Sequence, residues 1–183
     1  MRQLIRWIIL WAAWMGVTPN LQAAFPVQWS DVGVSYWVED KPATIYDVMQ
    51  RSADFKQTSS LQPNVGFSAN YLWFSIALKN TDTRAADFIF EVAYPRLEDL
   101  DLYAVNTQGQ IRYHFLSGSE TPAAQRPIHH MNFAFPIRAE AGEELRFYIR
   151  TRTDNPLRFP VKAWELEAFR AYQQQHQLTQ GFY

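Results

Sequence analysis

The chain has 183 residues, a net charge of −1 with histidines neutral, 16% aromatic residues and no cysteine. So balanced a charge argues against a nucleic-acid partner, which selects a basic surface, and against a polybasic lipid-binding face. The missing thiols exclude cysteine nucleophiles, iron–sulfur clusters, cysteine zinc sites and disulfide stapling together, so an aromatic-rich core must hold the fold up.

Residues 1–23 read as a signal peptide. Arg2 and Arg6 form a positive start, Trp7 to Val17 is an uncharged apolar run, and Ala23 and Ala24 offer small residues for cleavage. The run is shorter than the roughly 18–20 residues a membrane span needs. An uncleaved anchor is the competing reading. Without Arg2 and Arg6 the chain keeps 15 basic and 18 acidic residues, a net charge of −3. An exported domain without disulfides fits a bacterial periplasm.

From there the chain alternates apolar and polar residues in short bursts, the period of half-buried strands. Val34–Val38 is the first. Thr44-Ile45-Tyr46-Asp47 then resembles a capping box opening a short helix, with Ile45, Val48 and Met49 on one face. Tyr71 to Asn80 is the clearest strand: Leu72, Phe74, Ile76 and Leu78 face one way, and Trp73, Ser75, Ala77 and Lys79 the other. Phe88 to Tyr94 follows, with Phe88, Phe90, Val92 and Tyr94 on one face. Further strands are expected at Leu100–Val105, Ile111–Leu116, His130–Ile137 and Arg158–Trp164. Leu145–Arg152 sets Leu145, Phe147 and Ile149 against Arg146, Tyr148, Arg150 and Arg152. Turn residues such as Asn106-Thr107-Gln108-Gly109 and Asp154-Asn155-Pro156 separate them. About eight short strands make an all-β antiparallel sandwich or jelly roll with one short N-terminal helix. The Gln-rich stretch from Leu166 to Leu178 reads as a helical connector. Leu178 to Tyr183, ending Gly-Phe-Tyr, reads as the threshold of a membrane span beyond the given sequence.

Four blocks carry a family resemblance. They are Val34 to Asp40 with the short helix after it, Asn64 to Ser68 leading to Tyr71-Leu72-Trp73-Phe74, Tyr94 to Tyr103, and Arg126 before the strand ending Phe135-Pro136-Ile137. Leu145 to Arg150 and Gly181-Phe182-Tyr183 extend them. Together they resemble the type-2 extracellular domain of bacterial seven-transmembrane receptors with diverse intracellular signalling modules (7TMR-DISM). The resemblance implies a periplasmic jelly roll similar to carbohydrate-binding modules, followed in a full-length receptor by seven helices and a diguanylate cyclase or histidine kinase. It divides the chain into a leader (1–23), a ligand-sensing domain (24–165) and a connector (166–183), anchored to the inner membrane by later spans. One departure concerns Ser75, where many relatives carry a basic residue two places after the tryptophan.

The candidate ligand site is Trp73, Arg126, Tyr148 and Arg150. Trp73 lies on the non-core face beside small residues, where a flat ring gives a ligand something to stack on. Arg126 sits in a loop and could clamp a carboxylate or phosphate with two bonds. Tyr148 and Arg150 share the outward face of their strand. The expected ligand is a small periplasmic saccharide or acidic metabolite, with Trp73 as the floor of a shallow pocket. For Trp73 a role in packing stands beside that of binding, for Arg126 a role in fixing its own loop, and for Arg150 and Arg152 a solvated strand face.

No catalytic residue, cofactor or metal is assigned. The adjacent His129 and His130 point to opposite faces of a strand, and no zinc motif is present. Glu98, Asp99 and Asp101 are dense enough to raise the question of calcium, although charges that discourage strand-edge pairing are commoner. Three readings of function stand: a periplasmic ligand sensor, a secreted carbohydrate-binding or carbohydrate-active accessory module, and a structural homodimerisation domain.

Overall fold

A computed structural model describes residues 26–180; the leader and the closing Gly181-Phe182-Tyr183 lie outside the described residues. The strands, in order, are β1 (Val27–Trp29), β2 (Ser35–Val38), β3 (Asn64–Gly66), β4 (Leu72–Asn80), β5 (Ala86–Val92), β6 (Asp99–Asn106) and β7 (Ile111–Ser117). They continue with β8 (Phe133–Ala139), β9 (Glu144–Arg152), β10 (Leu157–Arg158) and β11 (Val161–Glu165). Helix α1 (Ile45–Met49) follows β2, and helix α2 (Leu166–Gln180) follows β11.

The large sheet runs β4-β9-β6-β7, with β1 and β2 end to end along the free edge of β4. The small sheet runs β11-β5-β8, and β3 pairs with β10, which leads through Pro160 into β11. All pairs are antiparallel. Taken as β3–β10/β11–β5–β8 facing β4–β9–β6–β7, the order is that of a jelly roll, as the sequence implied.

The alternation decides which side chains meet between the sheets. Leu72, Phe74, Ile76 and Leu78 of β4 and Leu145, Phe147 and Ile149 of β9 face Phe88, Phe90 and Val92 of β5 and Phe133, Phe135 and Ile137 of β8. Phe90 stacks on Phe147 with ring centres 4.2 Å apart, and Phe74 on Phe159 at 3.7 Å. Each such side chain contributes about 1.5–3 kcal/mol by leaving water, which is how a domain without disulfides stays folded.

Both outer faces are covered in part, which strand periodicity does not show. The excursion between β2 and β3 lays α1 and Phe55 over the large sheet, burying Ile45 and Val48 against Trp73, Val105 and Tyr148. The expected capping box is present, with Thr44 and Asp47 each holding the other's backbone N–H. The other helix is longer than expected. Its first turns pack onto the domain: Phe169 lies against Ile89 and Ala134 on the outer face of the small sheet. Two strand limits also differ. His130 precedes β8 rather than opening it, and Pro160, lacking an N–H, splits the expected strand at 158–164 into β10 and β11.

Candidate functional site

Strand β9 places Arg146, Tyr148 and Arg150 in one outward row, since every second residue shares a face. Trp73 lies opposite Arg150, Ser75 opposite Tyr148 and Ala77 opposite Arg146. Three of the four expected site residues therefore do meet on one face of the large sheet.

Their exposure differs from the expectation. Trp73 is 1% exposed, stacks against Tyr103 with ring centres 6.2 Å apart and donates its indole N–H to Glu39 at 2.8 Å. Its ring is sealed by the α1 excursion, so it forms no open pocket floor. Glu39 also accepts from Arg150, Nε at 2.7 Å and Nη2 at 2.9 Å, and from the Ala43 N–H at 3.3 Å. Burial works against the Glu39 charge, but the Arg150 and Trp73 bonds overcome it and hold the carboxyl below the ordinary glutamate range. Arg150 lies over the Tyr71 ring at 3.6 Å. Its two-bonded fork is spent inside the protein.

Arg126 stands apart from this group. It donates to the carbonyls of Gly118 (3.1 Å) and Thr121 (3.3 Å) and lies over Phe133 at 5.1 Å. It ties down its own loop and shares no partner with Trp73, Tyr148 or Arg150.

The opening on this face lies further along β9. Tyr148 and Arg146 line two depressions of about 240 Å³ each. One is completed by Asp31, Ser35, Phe55, Gln57 and Ser75, the other by Met49, Asn106, Thr107, Gly109 and Glu144. Each is smaller than the roughly 300–1,000 Å³ usual for small-molecule sites, and Arg146 and Tyr148 belong to the wall of both. Arg146 is the cation at the junction. It donates to Asp31 at 2.8 and 3.3 Å and to the Ser75 hydroxyl at 3.2 Å. Burial works against its charge, and Asp31 more than compensates. Asp31 itself is held where β1 breaks from β2, accepting the Ala77 N–H at 3.0 Å. Gly33 permits that break, because a Cβ there would collide with the backbone at Thr58 and Ser60. Tyr148 is 7% exposed, and burial raises its phenol, keeping it a neutral hydroxyl.

Arg146 and Asp31 were not among the expected site residues. The signal for Arg146 is present, since it shares the alternating row of Tyr148 and Arg150. A guanidinium reaches Ser75, but it comes from Arg146 on the neighbouring strand. Nothing in the sequence marks Asp31, whose role depends on which strand its loop lies beside.

The acidic group has partners among cations and hydroxyls. Glu98 and Asp99 approach Arg152 at 3.6 and 3.7 Å. Asp101 meets His114 at 2.7 Å and the Tyr103 hydroxyl at 2.9 Å. Burial and Asp101 push the Tyr103 phenol up to about 12. Among the described residues no cluster of three or more histidines and carboxylates is placed to hold a metal ion.

The described residues thus form a jelly roll with two shallow, largely polar depressions at Arg146 and Tyr148. A family model, 7TMR-DISM extracellular 2, matches residues 33–165, and the chain belongs to that family. No curated protein matches the chain. Membership makes it an extracellular sensor-type domain of a transmembrane receptor and puts it on the outer, periplasmic or extracellular side of a membrane.

Proposed function

We propose that this domain is the periplasmic ligand-binding part of a membrane signalling receptor, and that a small, uncharged, hydroxyl-rich ligand such as a saccharide binds in the groove at Arg146 and Tyr148. The observation that carries this reading is the pair of depressions sharing those two residues. Their lining offers hydroxyls from Ser35, Ser75 and Thr107, amides from Gln57 and Asn106, and aromatic area from Phe55 and Tyr148. Such groups can donate to and accept from a polyol while an aromatic ring covers its apolar face. Asp31 and Glu144 balance Arg146 with acidic charge, which favours a neutral ligand over the acidic metabolite also considered. Arg126 and Arg150, the cations expected to hold an acid, are bonded within the protein.

The leader-like residues 1–23 support export, and the family supports a full-length receptor with membrane spans and a cyclase or kinase output. Signalling requires the ligand to bind one arrangement of domain and helices better than the other, because equal affinity shifts nothing.

The test is a thermal-shift screen of neutral and acidic saccharides on residues 24–183, repeated with Tyr148→Ala and Asn106→Ala. A neutral saccharide that raises the melting temperature of the parent, with the shift lost in both folded variants, supports the reading. Shifts of equal size in the variants, or with acidic compounds alone, contradict it.

A further inference from the structure

The groove lies on one outer face of the sandwich and α2 on the other. Between them, Phe147, flanked in β9 by Arg146 and Tyr148, points inward and stacks on Phe90 of β5. The next residue of β5 is Glu91, which points outward beneath α2 and is 0% exposed.

Glu91 lies beside the apolar Ile89 and Ala134 but has polar partners for both of its oxygens. Asn132, just before β8, donates its side-chain amide at 2.6 Å, and Trp164 of β11 donates its indole N–H at 2.6 Å. His130 Nε2 lies 3.4 Å away, in ion-pair range but without hydrogen-bond geometry, and Lys162 is the cross-strand partner. From α2 come rings. Tyr172 stacks on Trp164 at 4.9 Å and meets His130 at 5.8 Å, while Phe169 meets His130 at 5.1 Å. Strand β11 ends at Glu165 and α2 begins at Leu166, so no loop separates the residue that Glu91 holds from the helix.

We propose that Glu91 is the latch of the exit helix: its bonds to Trp164 and Asn132 set the seat on which the rings of α2 pack, and leaving one of these polar groups unpaired in that seat releases the helix. A carboxylate suits a seat that must open. Carboxylate and donors would regain water when α2 lifts, so docking is held by a small difference between large terms rather than by apolar area alone. An entirely apolar seat would have no such compensation. Once lifted, a 15-residue helix is marginal in water and unravels. The single stacked contact between Phe147 and Phe90 sets this latch one residue from a strand whose flanking residues line the groove, and that link rests on the proposed ligand site. The latch itself does not.

The experiment is backbone hydrogen exchange on the full chain, comparing residues 168–175 with the core amides of β4 and β9. In Glu91→Gln the charge that strengthens both bonds is gone, and the new NH2 meets the Asn132 NH2 as donor against donor unless that amide turns over, so the seat is weakened at both partners. Exchange in 168–175 is expected to rise about tenfold or more with β4 and β9 unchanged. The combined variant E91M/N132L/W164F replaces the polar seat with apolar groups and is expected to exchange no faster than the parent. Should Glu91→Gln lose its fold, Trp164→Phe, which removes one donor, replaces it with the same expectation. Parent-like exchange in the releasing variant overturns the latch, as does a rise shared equally by β4 and β9, or a combined variant that also frees α2. Because no ligand is added, the outcome does not depend on the groove.

Discussion

Glu39 grips Arg150 through two hydrogen bonds, Nε at 2.7 Å and Nη2 at 2.9 Å, joining the start of the α1 excursion to the middle of β9. The Glu39 side chain is 4% exposed and that of Arg150 27%. Removing either leaves the other short of partners in a place where water reaches poorly. Glu39→Ala and Arg150→Ala are each expected to lower stability by roughly 2–3 kcal/mol, less than for a fully buried pair because Arg150 keeps some solvent. The double variant should lose clearly less than the sum, and urea unfolding of the four proteins measures the coupling.

Acid should weaken the fold through Glu39 and Glu91. Both carboxyls are held below their ordinary value of 4.5, burial opposing the charge and the hydrogen-bond donors prevailing. Below that value the unfolded chain binds protons that the folded chain refuses, so stability falls with falling pH. Their contribution is fully present above 4.5 and is lost as pH drops through their lower folded values. Urea midpoints should show this acid loss reduced in Glu91→Gln, since that variant has one fewer depressed carboxyl. An unchanged acid limb would contradict the assignment.

Arg126→Ala should leave ligand binding alone. Its guanidinium holds the carbonyls of Gly118 and Thr121, so the expected cost is about 1–2 kcal/mol and a loop from 118 to 126 that proteases cut faster. A lost ligand response in the folded variant would restore the loop arginine to the site.

Period-two alternation was enough to assign the core of β4 and β9, because burial on one face must recur every second residue. Phe74 and Phe147 are both fully buried, as that pattern requires. The capping box at Thr44 was equally legible, being local in sequence. What alternation cannot show is what lies over an outer face. Trp73 shares a face with Ser75 and Lys79, and nothing in its strand reveals that Glu39, 34 residues earlier, reaches its indole. Arg126 misled for a related reason: a loop arginine binds a ligand or its own loop, and the choice depends on which carbonyls the chain folds under it. Tyr148 and Arg146 belong to a legible row, but their joint role depends on Asp31, placed by the break between β1 and β2.

Phe147 links the two halves of the account, standing between the groove residues and stacking on Phe90 beside Glu91. Phe147→Ala should cost about 3–5 kcal/mol in urea unfolding, the usual range for emptying a buried aromatic position. A loss below about 1 kcal/mol would mean that the site closes up and that the stack is no rigid link.

The groove is tested most directly by amide chemical shifts of the isotope-labelled domain during titration with a neutral saccharide that gives a thermal shift. Saturable changes are expected at Ser35, Gln57, Ser75, Asn106, Arg146 and Tyr148, on both sides of the shared wall, with the 118–126 loop unmoved. Changes centred on Arg126, or spread over the exposed surface without saturation, would contradict the groove as the ligand site.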